Sequence, residues 1–260
     1  MNEFTSLPSV KRIAESTVRR LSVYLRFLEE FEERGLSTVS SEELARRGGT
    51  TSAQVRKDLS FFGSFGKRGL GYSVPELSSA LRDILGLGRE WRVVIIGAGK
   101  IGAALAQYRG FRQRGYNIVA VYDSSPEKIG RSLEGIEVRD MARFEADIAA
   151  ERPEIAVIAI PGEGAQDVLD LIVRTGIKAV LNFAPIQLNA PPDVTVKAVN
   201  MAMELEGLSF ALTNREQATV LLYFTDVLGI GYNRSNGTGI GAPRVRGGSS
   251  TRHVLIRTSR

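Results

Sequence analysis

The chain contains no cysteine and a single histidine, His253. Without thiols there is no disulfide, no thiolate nucleophile and no cysteine-bound metal, so any redox response cannot run through sulfur. One histidine in a polar tail removes a histidine metal cluster and argues against histidine acid/base catalysis. No apolar run approaches the roughly 18 residues that a bilayer span requires. The N-terminus has no basic-then-apolar leader, so a cytoplasmic location is the expectation.

What is present has ordinary globular proportions: 260 residues, 43% hydrophobic and 24% charged, long enough for two domains. The net charge is +5, yet the stretch from Gly229 to the end holds six arginines (234, 244, 246, 252, 257, 260) and no acid. That tail accounts for the whole excess. Global basicity therefore says little about an acidic partner, and local placement must carry the case.

In the first ninety residues, Val18, Leu21, Tyr24, Leu25, Leu28 and Phe31 follow a helical spacing that ends at Gly35. Ser40 and Glu43 form a capping-box pattern for a second helix that stops at Gly48-Gly49; Thr51 and Gln54 repeat it for a third, ending near Phe62. On that third helix Val55, Leu59 and Phe62 share one face, while Gln54, Arg56, Lys57, Ser60 and Phe61 point elsewhere. Two short helices joined through a glycine turn are the helix-turn-helix pattern, whose second helix enters the major groove. From Ser64 to Val74, apolar and polar residues alternate around Gly66, Gly69 and Gly71, which predicts a β-hairpin wing with Lys67 and Arg68 at its tip. A three-helix subdomain with a merely solvated charged face is the competing reading.

The second half opens on Val93-Val94-Ile95-Ile96-Gly97-Ala98-Gly99-Lys100-Ile101-Gly102, a buried strand turning through GxGxxG into a helix from Ala103 to Arg109. Gly97 permits the tight turn, Gly99 lets backbone approach a pyrophosphate, and Gly102 lets the helix pack on the sheet. The helix N-terminus attracts the anion. A second strand, Asn117 to Tyr122, ends in Asp123, 21 residues past Gly102. A carboxylate there accepts hydrogen bonds from ribose hydroxyls and repels a 2′-phosphate, favouring NAD(H) over NADP(H). Further strands are expected at 136–138, 155–160, 178–183 and 194–199, with helices between, giving a doubly wound parallel sheet. Ile160-Pro161-Gly162 and Asn182-Phe183-Ala184-Pro185 fall at C-terminal strand edges, where such sheets bind ligands. Tyr108, one or two turns into the first helix, either reaches the nicotinamide end or simply packs.

With these residues laid out, the chain resembles the Rex family of redox-sensing transcriptional repressors over roughly residues 10 to 212. The resemblance rests on Arg56-Lys57-Asp58-Leu59 with Phe62-Gly63-x-Phe65-Gly66-x-Arg68-Gly69-x-Gly71-Tyr72, on Gly97-Ala98-Gly99 with Tyr108-x-Gly110-Phe111, and on Gly176-Ile177-Lys178-Ala179-x-Leu181-Asn182-Phe183-Ala184-Pro185. It implies an α/β homodimer: an N-terminal winged helix-turn-helix domain (1–86), a Rossmann NAD(H)-binding domain (87–200) and a C-terminal helix (201–228) swapped onto the partner. A basic tail (229–260) is expected to be disordered. Such repressors bind pseudo-palindromic operator DNA when NAD+ prevails and release it on binding NADH.

The DNA-facing set is then Gln54, Arg56, Lys57, Ser60, Phe61, Lys67, Arg68 and Tyr72. Residues 97–102, Tyr108, Asp123, Ile160, Pro161, Ala184, Pro185 and Met201 form the cofactor set. Met201 or Met203 would supply an apolar lid that penalises the cationic nicotinamide of NAD+. Arg20 and Tyr108 match positions that couple pocket and DNA-binding domains. Asn200 stands where the family usually has aspartate, so a charged partner for Arg20 is expected to be missing. Thr213 and Glu216 are expected to cap a separate helix from Gln217 to Leu228. The rivals are an NAD-dependent dehydrogenase, which steady NADH turnover would reveal, and a CoA- or nucleotide-binding module, which calorimetry would separate.

Overall fold

A computed structural model describes residues 13–66, 70–226, 230–231 and 244–245. The chain divides into two units, Met1–Ala198 and Val199–Arg260. Helix α1 (Glu15–Glu33) opens the first, and its predicted apolar stripe is the face it buries: Leu21, Tyr24, Leu25, Leu28 and Phe31 lie in the N-terminal core. Each such leucine stabilises the module by roughly 1.5–3 kcal/mol relative to an exposed one. Gly35, at φ +73°, accepts the left-handed turn that ends the helix. Short strand β1 (Thr38–Val39) leads to α2 (Ser41–Arg47) and α3 (Ser52–Ser60).

Both predicted caps form: Ser40 Oγ accepts from Glu43 N at 3.1 Å and Thr51 Oγ1 from Gln54 N at 3.2 Å. The reciprocal half of the first box does not, because the Glu43 carboxylate turns instead to Arg46 and Arg47. Strand β2 (Tyr72–Ser73), at the end of the expected wing, pairs antiparallel with β1, Val39 opposite Tyr72. Gly66 and Gly71 do approach closely, since a Cβ on Gly66 would lie 2.5 Å from Gly71 O. The proposed tip, Lys67 and Arg68, lies outside the described residues. Helix α4 (Val74–Ile84), with Pro75 in its first turn, closes the module by packing Leu77 and Leu81 against α1.

The remainder of this unit is a seven-stranded sheet ordered β5-β6-β4-β3-β7-β8-β9. Its strands are β3 (Trp91–Ile96), β4 (Tyr116–Asp123), β5 (Ser132–Leu133), β6 (Ile136–Asp140), β7 (Ile155–Ile158), β8 (Ala179–Asn182) and β9 (Thr195–Ala198). Every pairing is parallel except β5 with β6, an antiparallel edge that the expectation of a parallel sheet did not include. The edge forms because Glu134 (φ +49°) and Gly135 (φ +85°) make a two-residue turn with both central residues at positive φ. Helices α5 (Lys100–Gln107) and α6 (Arg109–Gln113) follow β3; α7 (Phe144–Glu151) and α8 (Ala165–Arg174) bury Phe144, Ile148, Leu169 and Ile172 on the sheet. Val93–Ile96 form a continuous apolar run because strand β3 is central and covered on both faces.

In the second unit, α9 (Met201–Asp226) is one continuous helix. Thr213 does not cap a new one: its hydroxyl donates to Ser209 O at 3.0 Å, back along the same helix. Asn200 Oδ1 caps α9, accepting from Ala202 N at 3.0 Å and Met203 N at 3.4 Å. Of the tail, Ile230–Gly231 and Arg244–Val245 pair antiparallel; the rest of 229–260, with its expected disorder, lies outside the described residues.

Candidate functional site

Strand β3 delivers its glycine turn to the carboxyl edge of the sheet. Gly97 has φ +105°, and a Cβ there would lie 2.5 Å from Ala159 O, so no other residue fits without displacing strand β7. A Cβ on Gly102 would meet Gly97 O at 1.7 Å, which sets how tightly α5 sits on the turn. Gly99 is different. It caps α5, and nothing lies within 4 Å of where its Cβ would be. Protein packing demands glycine at 97 and 102, whereas at 99 only a ligand approaching the backbone would.

Asp123, the last residue of β4, reaches this turn. Its Oδ2 accepts from Ala98 N at 2.7 Å and from Lys128 Nζ at 3.0 Å, and its Oδ1 accepts from Ser125 N at 2.9 Å. Burial opposes ionisation of this carboxyl, but the donors of Ser125, Lys128 and Ala98 outweigh it and hold the group below the usual carboxylate range. The two predicted elements, 97–102 and Asp123, are therefore one hydrogen-bonded constellation.

The other strand ends fall level with it. Ile96 pairs with Tyr122 and with Ile158, and Ile158 pairs with Asn182. Ile160 packs beside Gly97, whose Cβ would lie 2.8 Å from Ile160 Cγ2. Ala184 is buried, and Pro161 and Pro185 are exposed just beyond their strands. Buried Asn182, a functional position that the strand pattern alone does not single out, shapes this rim: its Nδ2 donates to Ala184 O at 3.2 Å and Ile186 O at 3.0 Å, and its Oδ1 accepts from Ala184 N at 2.9 Å. An asparagine at the end of an apolar strand was the available signal. Numbered in chain order, the six parallel strands run 3-2-1-4-5-6, and the glycine turn lies at the switch point between β3 and β7.

Tyr108 is corrected. It does not lie within a helix but at the C-cap of α5, in extended conformation, 59% exposed, its ring edge-on to Phe111 at 5.0 Å. Eight residues past Lys100, it is ~12 Å along the helix from the glycine turn at 1.5 Å per residue. Met201 belongs to the second unit and is exposed.

On α3 and at its C-cap, Lys57, Ser60 and Phe61 are exposed, and Ser60 Oγ donates to Lys57 O at 2.8 Å. Arg56 is exposed but leans on α2, donating to Ser41 Oγ at 2.8 Å. Gln54 faces inward and donates to Asp58 Oδ1 at 2.8 Å. Tyr72 is buried in the module's core.

Asp58 is fully buried and gathers Arg20, Tyr24, Gln54 and Thr17 around one carboxylate. Burial opposes its ionisation, but hydrogen bonds from Arg20, Gln54 and Tyr24 hold it low; burial also pushes the Tyr24 phenol up. Arg20 thus has a carboxylate partner, and the absence expected from Asn200 does not arise.

One face of the sheet carries an apolar groove of about 450 Å³, lined among others by Val93, Ile95, Ile155, Val157 and Leu181. It runs over strand interiors, away from the carboxyl edge.

A helix-turn-helix module followed by a 3-2-1-4-5-6 sheet, with a glycine turn and an acidic strand end at its switch point, defines a regulator built on a nucleotide-binding scaffold. The family model "CoA binding domain" matches residues 88–186 and "Putative DNA-binding protein N-terminus" matches residues 12–60. The "Redox-sensing transcriptional repressor Rex" of Carboxydothermus hydrogenoformans is 47% identical over 199 residues, spanning 76% of this chain and 96% of that protein. Its namesake from Syntrophomonas wolfei is 46% identical over 208 residues, 79% of this chain and 99% of that one. The crystal structure of RSP, a Rex-family repressor, superposes with TM-score 0.75 at 37% identity, covering 81% of this chain and 99% of RSP. RSP in complex with β-NAD+ and operator DNA gives 0.76 at 38%, covering 81% of this chain and 97% of RSP. The chain belongs to the Rex family of redox-sensing transcriptional repressors, regulators rather than enzymes.

Proposed function

We propose that this protein is a homodimeric repressor that holds operator DNA when NADH/NAD+ is low and lets go on binding NADH. The observation that carries the cofactor half is the Ala98 N–Asp123 hydrogen bond, which puts a ribose-type acceptor beside a glycine turn whose open member, Gly99, faces no protein atom. A relative of this fold has been crystallised with β-NADH and with β-NAD+ and operator DNA, which supports the same ligands here. The pyrophosphate would lie over Gly99, Lys100 and Ile101 at the N-terminus of α5. Ile160, Pro161, Ala184 and Pro185 would form the rim toward the nicotinamide.

Lys57, Ser60 and Phe61 would meet the major groove, with Arg56 beside them and Gln54 inside the helix they stand on. Residues 67 and 68 would contact phosphates. Working where its operator lies, the repressor would be cytoplasmic. We place domain limits at 86/87 and 200/201.

Two features support a dimer. Met201, Met203, Leu205, Leu208, Phe210 and Leu212 of α9 are each 61–73% exposed, more apolar surface than an isolated helix leaves in water. The first unit carries an apolar groove of about 450 Å³ on one face of its sheet. In our reading α9 of one protomer covers the partner, and Met201 enters the partner's nicotinamide end. An apolar lid disfavours the cationic ring of NAD+ more than the neutral ring of NADH. NADH then selects the protomer arrangement it binds better, and only one arrangement spaces two α3 helices for a two-fold operator.

The test is operator binding at fixed salt across NADH/NAD+ ratios: occupancy should fall as NADH rises, and indifference to saturating NADH would sink the proposal. The match of residues 88–186 to a CoA-binding model favours one alternative occupant of the crevice. Calorimetry with NADH, NAD+ and CoA separates the two, with NADH expected to bind tightest.

A further inference from the structure

Asp123 shares the ribose end of the crevice with a cation. Lys128 lies five residues further on, and the intervening loop folds it back: Ser125 O accepts from Lys128 N at 2.9 Å and from Ile129 N at 3.2 Å. Its ammonium thereby reaches 3.0 Å from Asp123 Oδ2. The pair is asymmetric in exposure, the carboxylate side chain 9% and the lysine side chain 38% exposed, so the cation is the member more open to solvent.

A carboxylate offers about four acceptor positions. Three are taken here, by Ala98 N, Ser125 N and Lys128 Nζ, which leaves one for a ribose hydroxyl. A carboxylate at this strand end disfavours a 2′-phosphate by charge repulsion, and a cation in the following loop favours one. This chain holds both, in contact.

We propose that Lys128 is a specificity-determining residue for the adenosine 2′ position: it partly neutralises Asp123 and stands as the counter-ion a 2′-phosphate would need. Rejection of NADPH then rests on Asp123 alone, and the residual affinity for NADPH rests on Lys128. The inference depends on the dinucleotide reading of the crevice.

The experiment compares NADPH and NADH affinity on the same preparation of each variant, so that any misfolded fraction cancels in the ratio. The full chain should prefer NADH. In Asp123→Asn the NADPH/NADH affinity ratio should rise at least tenfold. Adding Lys128→Met to Asp123→Asn should return most of that gain, whereas adding Lys128→Arg should keep it. If Lys128→Met moves both cofactors equally in either background, Lys128 only closes the loop and the proposal is overturned. If the unsubstituted chain binds neither cofactor, the dinucleotide reading fails instead, and with it the premise.

Discussion

Arg20 grips Asp58 with two nitrogens, Nε to Oδ2 at 2.6 Å and Nη2 to Oδ1 at 2.7 Å, joining the first helix to the exposed helix-turn-helix element α3. The carboxylate is fully buried while the arginine side chain is 29% exposed, so the two partners are not equivalent. Without Asp58, the guanidinium turns to water. Loss of Arg20 leaves an anion in the core with only neutral donors.

Arg20→Ala should therefore destabilise the N-terminal module by about 3 kcal/mol, and Asp58→Asn by clearly less. Urea unfolding followed by circular dichroism measures both. Equal effects would mean that the arginine is not the main stabiliser of the buried charge.

Acid should unfold this protein through Asp58 and Asp123, whose carboxyls are both held below their ordinary range in the folded state. A depressed folded pKa contributes stability that is fully present above the unfolded value, about 3.9, and is lost as pH falls through the folded one. Stability should be level with respect to these two groups above about pH 5 and fall steeply below about pH 4. Asp58→Asn should flatten that acid limb, measurable as urea midpoints against pH.

Gly99 and Gly102 should separate by assay. Gly102→Ala drives a methyl into Gly97 O and should cost about 1–3 kcal/mol or more of stability, with cofactor binding lost alongside. Gly99→Ala meets no protein atom, so unfolding should shift by less than about 1 kcal/mol while NADH affinity falls sharply. Thermal unfolding and NADH fluorescence titration on the same samples distinguish the two.

Lys57 is exposed on α3, and Lys57→Ala should weaken operator binding across sequences and reduce the salt slope of log K by about 1. NADH affinity should not move. Anisotropy titrations at several salt concentrations test this, and an unchanged slope would remove Lys57 from the phosphate contacts.

The architecture was legible wherever one local rule acted alone. The apolar stripe of α1, the Ser40 and Thr51 caps, the run Val93–Ile96 and the glycine turn each follow from short-range chemistry, and the elements stand where that chemistry puts them. The departures arise where distant residues compete. Tyr72 fits the alternation of the wing, but its partner in β1, more than thirty residues earlier, has no local signal. Gln54 and Asp58 look like ordinary surface positions of a basic helix until α1 brings Arg20 and Tyr24 against them. Thr213 fits a cap pattern, but the uninterrupted helix engages its hydroxyl. Lys128 has no local sequence signal, because its meaning comes only from the loop that returns it to Asp123.

The hydrogen bond from Ala98 N to Asp123 also bears on where sensing must happen. The adenosine half of the dinucleotide is the same molecule before and after hydride gain, and its berth here is assembled without it. That half can therefore act as a grip of fixed strength, blind to oxidation state. All information about the electron balance must enter at the far ring, and variants at Asp123 should scale both redox forms together without changing which of them wins.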